Sequence, residues 1–245
     1  MNLKKHYNDL YNNAVDKITN NNYTIDYQID STSDNRLGIT VLIRPSLEIK
    51  NTIQGFINEL KKNNPGQYFY PNSDIHITVL SLVSCHEGFD LNTISIQEYI
   101  KIIRKSIEDI HDFEIHFQGI TASSSAVMIQ GFTNNDSLNK LRNKLRINFK
   151  NSSLQQSIDT RYAIQTAHST VMRFREKIIN KQTLLETLKK YRSFDFGKFK
   201  VKNIELVCND WYQREGSTQQ LHSFGLSTPA NVRSKKLIYS HNINH

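Results

Sequence analysis

The sequence predicts an α+β fold of two pseudo-symmetric lobes, each an antiparallel-rich sheet with helices on its outer face, around a central cleft. Two observations predict it. Apolar runs of period 2 and period 3.6 interleave as strand-helix-strand-helix-strand and then strand-helix-strand-helix-strand-strand, an order that calls for mixed layers rather than a bundle or a sandwich. The spacing also repeats: 39 residues separate Leu37 from His76 and 42 separate Ala126 from His168, each interval holding one strand, one helix and a polar loop.

Element by element, Leu3, Tyr7, Leu10, Tyr11, Ala14, Val15 and Ile18 stand at helical spacing and predict an amphipathic helix over 3–19, read as an appendage within an N-terminal extension of residues 1–35. Leu37 to Ile43 is an apolar run of strand length, and Pro45 with Ser46 opens a helix to about Lys62, which Asn63, Asn64, Pro65 and Gly66 end. A strand is expected at 75–82, a helix at 96–110, strands at 113–120 and 126–132, and a helix from the polar cap 134–137 to about 149. A strand at 167–174, a helix at 181–191 and strands at 200–207 and 220–225 complete a bilobal domain over 36–226, whose lobes exchange strands and count as one unit. Residues 227–245 read as a flexible tail.

Composition bounds the function. Thirty-one Lys and Arg against twenty-three Asp and Glu give a net charge of +8, which attracts phosphorylated partners at long range. Cys85 and Cys208 match no paired spacing, so neither a disulfide framework nor a structural zinc site is expected, and a reducing, cytoplasmic setting is. No apolar run approaches the roughly 20 residues of a membrane span. The expectation is a soluble monomer without a membrane partner. The sequence has no GxGxxG, no Walker phosphate loop and no HExxH, which argues against dinucleotide, triphosphate and zinc enzymes; no metal and no cofactor is expected.

Each of the two matching intervals ends on the same pattern: His76-Ile77-Thr78 within IHITVL and His168-Ser169-Thr170 within AHSTVM. In an extended strand side chains alternate, so each histidine and the threonine two residues on share a face and present an imidazole beside a hydroxyl. Two such half-sites facing each other can surround one phosphate. With these motifs the sequence resembles the 2H phosphoesterase superfamily, which includes 2′-5′ RNA ligase-like proteins and cyclic phosphodiesterases. The resemblance covers residues 36–226 and implies that His76, Thr78, His168 and Thr170 form the catalytic quartet.

The chemistry follows from the residues themselves. Cleaving a phosphodiester beside a ribose hydroxyl needs one group to deprotonate the nucleophile and another to protonate the leaving oxygen. Two imidazoles can do both near neutral pH without a metal. The threonines can donate to the non-bridging oxygens of the transition state. The expected substrate is an RNA end with a 2′,3′-cyclic phosphate, a short 2′-5′ linked oligonucleotide or a cyclic nucleotide. Which histidine is the base stays open, because the pair titrates as a coupled unit.

Other residues are weaker candidates. Tyr70 and Tyr162, each six residues before its histidine, are candidates to contact substrate, against an ordinary packing role. Trp211 and Tyr212 read as a base-stacking platform or as packing. Strand parity turns Arg173 away from the cleft unless a bulge intervenes, and Arg44 reads as a solvated strand end. Two other functions compete: a module that clasps a nucleotide or RNA end without turnover, which the intact quartet disfavours, and a sugar mutarotase, which the interleaved helices disfavour.

Overall fold

The computed structural model describes residues 2–228. Its first helix is α1 (Leu3–Thr19), followed by β1 (Leu37–Ile43), α2 (Leu47–Asn63), β2 (Tyr68–Phe69), β3 (Ile77–His86) and α3 (Ile96–Ile107). Then come β4 (Phe113–Ala122), β5 (Ala126–Thr133), α4 (Ser137–Lys150), β6 (Ser169–Arg173), α5 (Lys181–Lys190), β7 (Asp195–Val201), β8 (Asn203–Asp210) and β9 (Gln219–Gly225). Among the described residues no helix is long and apolar enough to cross a membrane.

The strands form two sheets, ordered β3-β1-β8-β9 and β2-β6-β5-β4-β7, with antiparallel pairing throughout. The expected duplication is visible in β1-α2-β3 and β5-α4-β6: each is a pair of antiparallel neighbours with a helix between them. The units are cross-packed. Helix α2 lies against β6 and β7 of the five-stranded sheet, and α4 lies against β3 of the four-stranded one. One apolar cluster runs through both lobes.

Two expectations change. The N-terminal helix is not an appendage: Tyr7, Ala14 and Ile18 are buried in the core, α1 packs on β4, and Thr121 Oγ1 donates to Tyr7 O at 2.9 Å. The strand expected at 200–207 is two strands, β7 and β8, which lie in different sheets and carry the chain from one lobe to the other at Lys202. Strand β7 carries Lys198 and Lys200 on its solvent face between buried Phe196, Phe199 and Val201, and the expected strand took in only its last two residues. Of the tail, Ser227 bridges to His111, and residues 229–245 lie outside the described residues.

The stripes of α2 and α4 explain the packing. Ser46 caps α2 by accepting from Ile49 N, and Ile49, Ile53, Phe56, Ile57 and Leu60 form its buried face. On α4 the buried face is Leu138, Leu141, Arg142, Leu145 and Phe149, so a guanidinium stands in an apolar stripe. Arg142 is 1% exposed, and burial pushes its pKa down to about 10, which leaves it charged at neutral pH. Its Nε donates to Val79 O at 2.8 Å, and its Nη2 donates to Thr78 O at 2.9 Å and Thr166 O at 2.8 Å. One side chain thereby ties β3 to the segment leading into β6. Arg142→Met leaves those carbonyls unpaired, and chemical denaturation should show a loss of about 2–4 kcal/mol, with Arg142→Lys restoring only part because an ammonium lacks the fork.

Candidate active site

His76 and His168 each stand immediately before the strand that bears their threonine, His76 before β3 and His168 before β6. In both motifs the histidine and threonine are half-buried while the residue between them, Ile77 or Ser169, is fully buried. That is the alternation of an extended strand with one face toward a cavity. His76, Thr78, His168 and Thr170 all line one cleft, together with Tyr70, Arg161, Tyr162, Arg173, Asn209, Trp211 and Gln213.

A matched irregularity follows each motif. On β3, Leu42 pairs with Thr78 and Val41 with Leu80, so Val79 is an extra residue; on β6, Met128 pairs with Thr170 and Val127 with Met172, so Val171 is extra. These bulges sit at equivalent places and reverse the parity of the strand beyond them. Five residues after each histidine, Ser81 and Arg173 are therefore returned to the cleft. Parity without a bulge turned Arg173 away; the bulge corrects that reading. Arg173 is braced by its Nε bond to the Tyr70 hydroxyl at 2.8 Å and lies 4.0 Å from Asp26.

The imidazoles differ in what holds them. His76 Nδ1 is 2.7 Å from Asp74 O, and because a carbonyl only accepts, that nitrogen carries a proton and Nε2 is left for the cleft. His168 Nδ1 is 2.6 Å from the Thr166 hydroxyl, which can accept or donate. Burial pushes both rings down to about 4; nearby Arg44, Arg173 and Lys50 reinforce this at His76, and His76, Arg142, Arg173 and His6 reinforce it at His168. With these values both are neutral at pH 7. An anion between them offsets this concentration of positive charge and raises the imidazole pKa values.

The remaining candidates separate. Tyr70 is 1% exposed and serves the site by holding Arg173, while Tyr162 is 68% exposed at the rim. Trp211 lines the cleft, but its ring lies 5.0 Å from the Arg36 guanidinium and 4.6 Å from that of Arg161, so cations already occupy it as a stacking surface. Tyr212 follows Trp211 in a turn and does not line the cleft: it is fully buried, with its hydroxyl donating to Asp26 at 3.0 Å. Arg44 braces strand ends through Glu205 at 3.1 Å and Ser73 O at 2.7 Å.

Sequence reasoning missed Arg142, Thr166 and Arg161. Only Arg142 left a signal, as a charge within an apolar helical stripe. Among the described residues no three His, Cys, Asp or Glu side chains group as metal ligands.

The lowered histidines carry a pH dependence. Each binds its proton near pH 6.5 when unfolded and near pH 4 when folded, so the unfolded state takes up more protons in that window and stability falls as pH drops through it. Thermal melts should show wild type losing stability from pH 6.5 to pH 4 more steeply than the His76→Asn/His168→Asn variant, and phosphate should lessen the loss.

The sequence model of a family described as the AKAP7 2′5′ RNA ligase-like domain matches residues 40–219. No curated protein sequence matches the chain. Among solved structures, TT0787 of Thermus thermophilus is similar over 79% of this chain and 99% of its own, with a TM-score of 0.58 and 14% identity. E. coli LigT complexed with 3′-AMP is similar over 79% of this chain and 100% of its own, with a TM-score of 0.53 and 14% identity. A further structure described as a phosphoesterase covers the same shares as LigT at a TM-score of 0.52 and 17% identity. The likeness to these structures is one of fold, and the family model spans most of the chain: the protein belongs to the AKAP7 2′5′ RNA ligase-like family within the 2H phosphoesterase superfamily.

Proposed function

We propose that the protein is a metal-independent phosphodiesterase that uses His76 and His168 as an acid/base pair on a 2′,3′-cyclic phosphate, a 2′-5′ linked oligonucleotide or a cyclic nucleotide. The observation that carries this reading is the convergence of both His-x-Thr half-sites and Arg173 on one cleft. E. coli LigT has been solved with 3′-AMP, which supports a nucleotide-like substrate here. The buried free thiols Cys85 and Cys208 fit a reducing, cytoplasmic setting.

For a 2′,3′-cyclic phosphate the balance is simple. A neutral imidazole takes a proton from water as its oxygen bonds to phosphorus; one ribose oxygen leaves phosphorus and receives a proton from the other, protonated imidazole. The anionic phosphate is what allows that second ring to hold its proton at neutral pH despite its burial. Thr78 and Thr170 donate to the non-bridging oxygens, and Arg173 supplies a fixed positive charge where negative charge accumulates.

Turnover of these three substrate classes is to be measured in EDTA with wild type and with His76→Ala and His168→Ala. Each variant should lose about 10²–10⁴-fold in kcat, and the double variant should lose little more, because the two act as a unit. Dependence on added metal, or undiminished turnover by both variants, overturns the proposal.

A further inference from the structure

The cleft extends well past its catalytic end. Its lining follows β3 from His76 past Thr78 and Ser84 to Cys85, nine residues further on, which at about 3.3 Å per residue is roughly 25–30 Å of strand. The chemistry proposed above uses only the first part of that length. At the far end the segment between α4 and β6 lies along the outer edge of β3, fixed by Ser157 N donating to Leu82 O at 2.8 Å and Ser84 N donating to Ser157 Oγ at 2.7 Å. That segment delivers Arg161, whose Nη2 donates to Cys85 O at 3.0 Å and whose guanidinium lies 4.6 Å from the centre of the Trp211 ring. Asn209 meets the same cysteine, with Nδ2 3.6 Å from Cys85 Sγ. It is 2% exposed; its Nδ2 also donates to Asp210 O at 2.7 Å, and its Oδ1 has no partner among the described residues.

We propose that Arg161 holds a second phosphate of the substrate, so that the cleft takes an oligonucleotide chain in preference to a lone cyclic mononucleotide. This rests on the phosphodiesterase reading above, with His76 and His168 acting on one phosphate of that chain. The charge of Arg161 is unclaimed: among the described residues no carboxylate pairs with it, and the nearest acid in sequence, Asp159, is held by Arg146 through two hydrogen bonds at 2.5 and 3.1 Å. Its place is also fixed in advance. The Trp211 ring and the Cys85 carbonyl hold the guanidinium, while Nε and Nη1 make no hydrogen bond among the described residues, so little freedom is lost when an anion arrives. A guanidinium with a free edge matches two phosphate oxygens at once. Arg161 is not needed as a staple, since Ser157 already ties the segment to β3 on both sides of its hydroxyl. The orphaned carbonyl of Asn209 calls for a donor, and a nucleotide unit brings both an anion and hydroxyl or amino donors. A cyclic mononucleotide has one phosphate, which the quartet and Arg173 take, and it leaves Arg161 and Asn209 without a partner.

A length series tests this with the full chain: oligonucleotides from one to about five nucleotides ending in a 2′,3′-cyclic phosphate, and 2′-5′ linked chains from two to about five. Wild-type kcat/KM should rise with length. In Arg161→Gln the ratio of the longest substrate to the shortest should fall about tenfold or more, the size of one hydrogen bond to a charged group. Arg161→Lys keeps the charge without the fork and should restore part of the ratio. Added salt should erode the length preference of wild type more steeply than that of Arg161→Gln, a response that an arginine serving only to pin the segment does not give. A wild type indifferent to length, or an Arg161→Gln variant that keeps the wild-type ratio even if all its rates fall together, overturns the proposal. Failure of the phosphodiesterase reading has a different mark: the histidine variants keep full turnover, while fluorescence anisotropy still shows the longer chains binding more tightly to wild type than to Arg161→Gln.

Discussion

The buried guanidinium of Arg142 is the contact on which the site depends. It stands in the apolar stripe of α4, and its partners are three backbone carbonyls. A charge so placed costs several kcal/mol unless it is hydrogen-bonded; Nε and Nη2 bind the carbonyls of Thr78, Val79 and Thr166, which are therefore not free to drift, while Nη1 has no partner among the described residues. Two of these belong to the first motif strand and the third lies two residues before His168. The half-sites come from distant parts of the chain, and this fork fixes their separation.

The duplication then places matched chemistry on the two sides. Each motif runs His-x-Thr-Val, and each valine is the extra residue of a bulge. The bulge returns the next residue but one to the cleft, as Ser81 on one side and Arg173 on the other. Symmetry ends there, because a phosphate needs two proton-transfer groups but gains more from one well-braced cation than from two competing ones. The supports behind the imidazoles are unlike in the same way: a carbonyl at His76 and a hydroxyl at His168.

Much of this was legible in the sequence, and the part that was not has physical reasons. The quartet was readable because strand alternation is local: His and Thr two apart share a face wherever the strand lies. Arg173 was misplaced because one inserted residue reverses parity and a bulge leaves no mark in composition. Tyr212 was grouped with Trp211, although in the turn after β8 Trp211 lines the cleft while Tyr212 is fully buried. The hydrogen bonds of Tyr7 to Gly131 and Thr121 join residues far apart in sequence, and only the docking of α1 on β4 reveals them. Arg142 was the one hidden residue with a visible signal, a charge interrupting a stripe of leucines.

The central claim is that both imidazoles serve a single phosphate. Titrating the full chain with inorganic phosphate while following the imidazole resonances of His76 and His168 tests it most directly. The account predicts that both respond together with one Kd and that their titration moves toward neutral pH once phosphate is bound. A response from only one ring, or two responses with different Kd values, would contradict it.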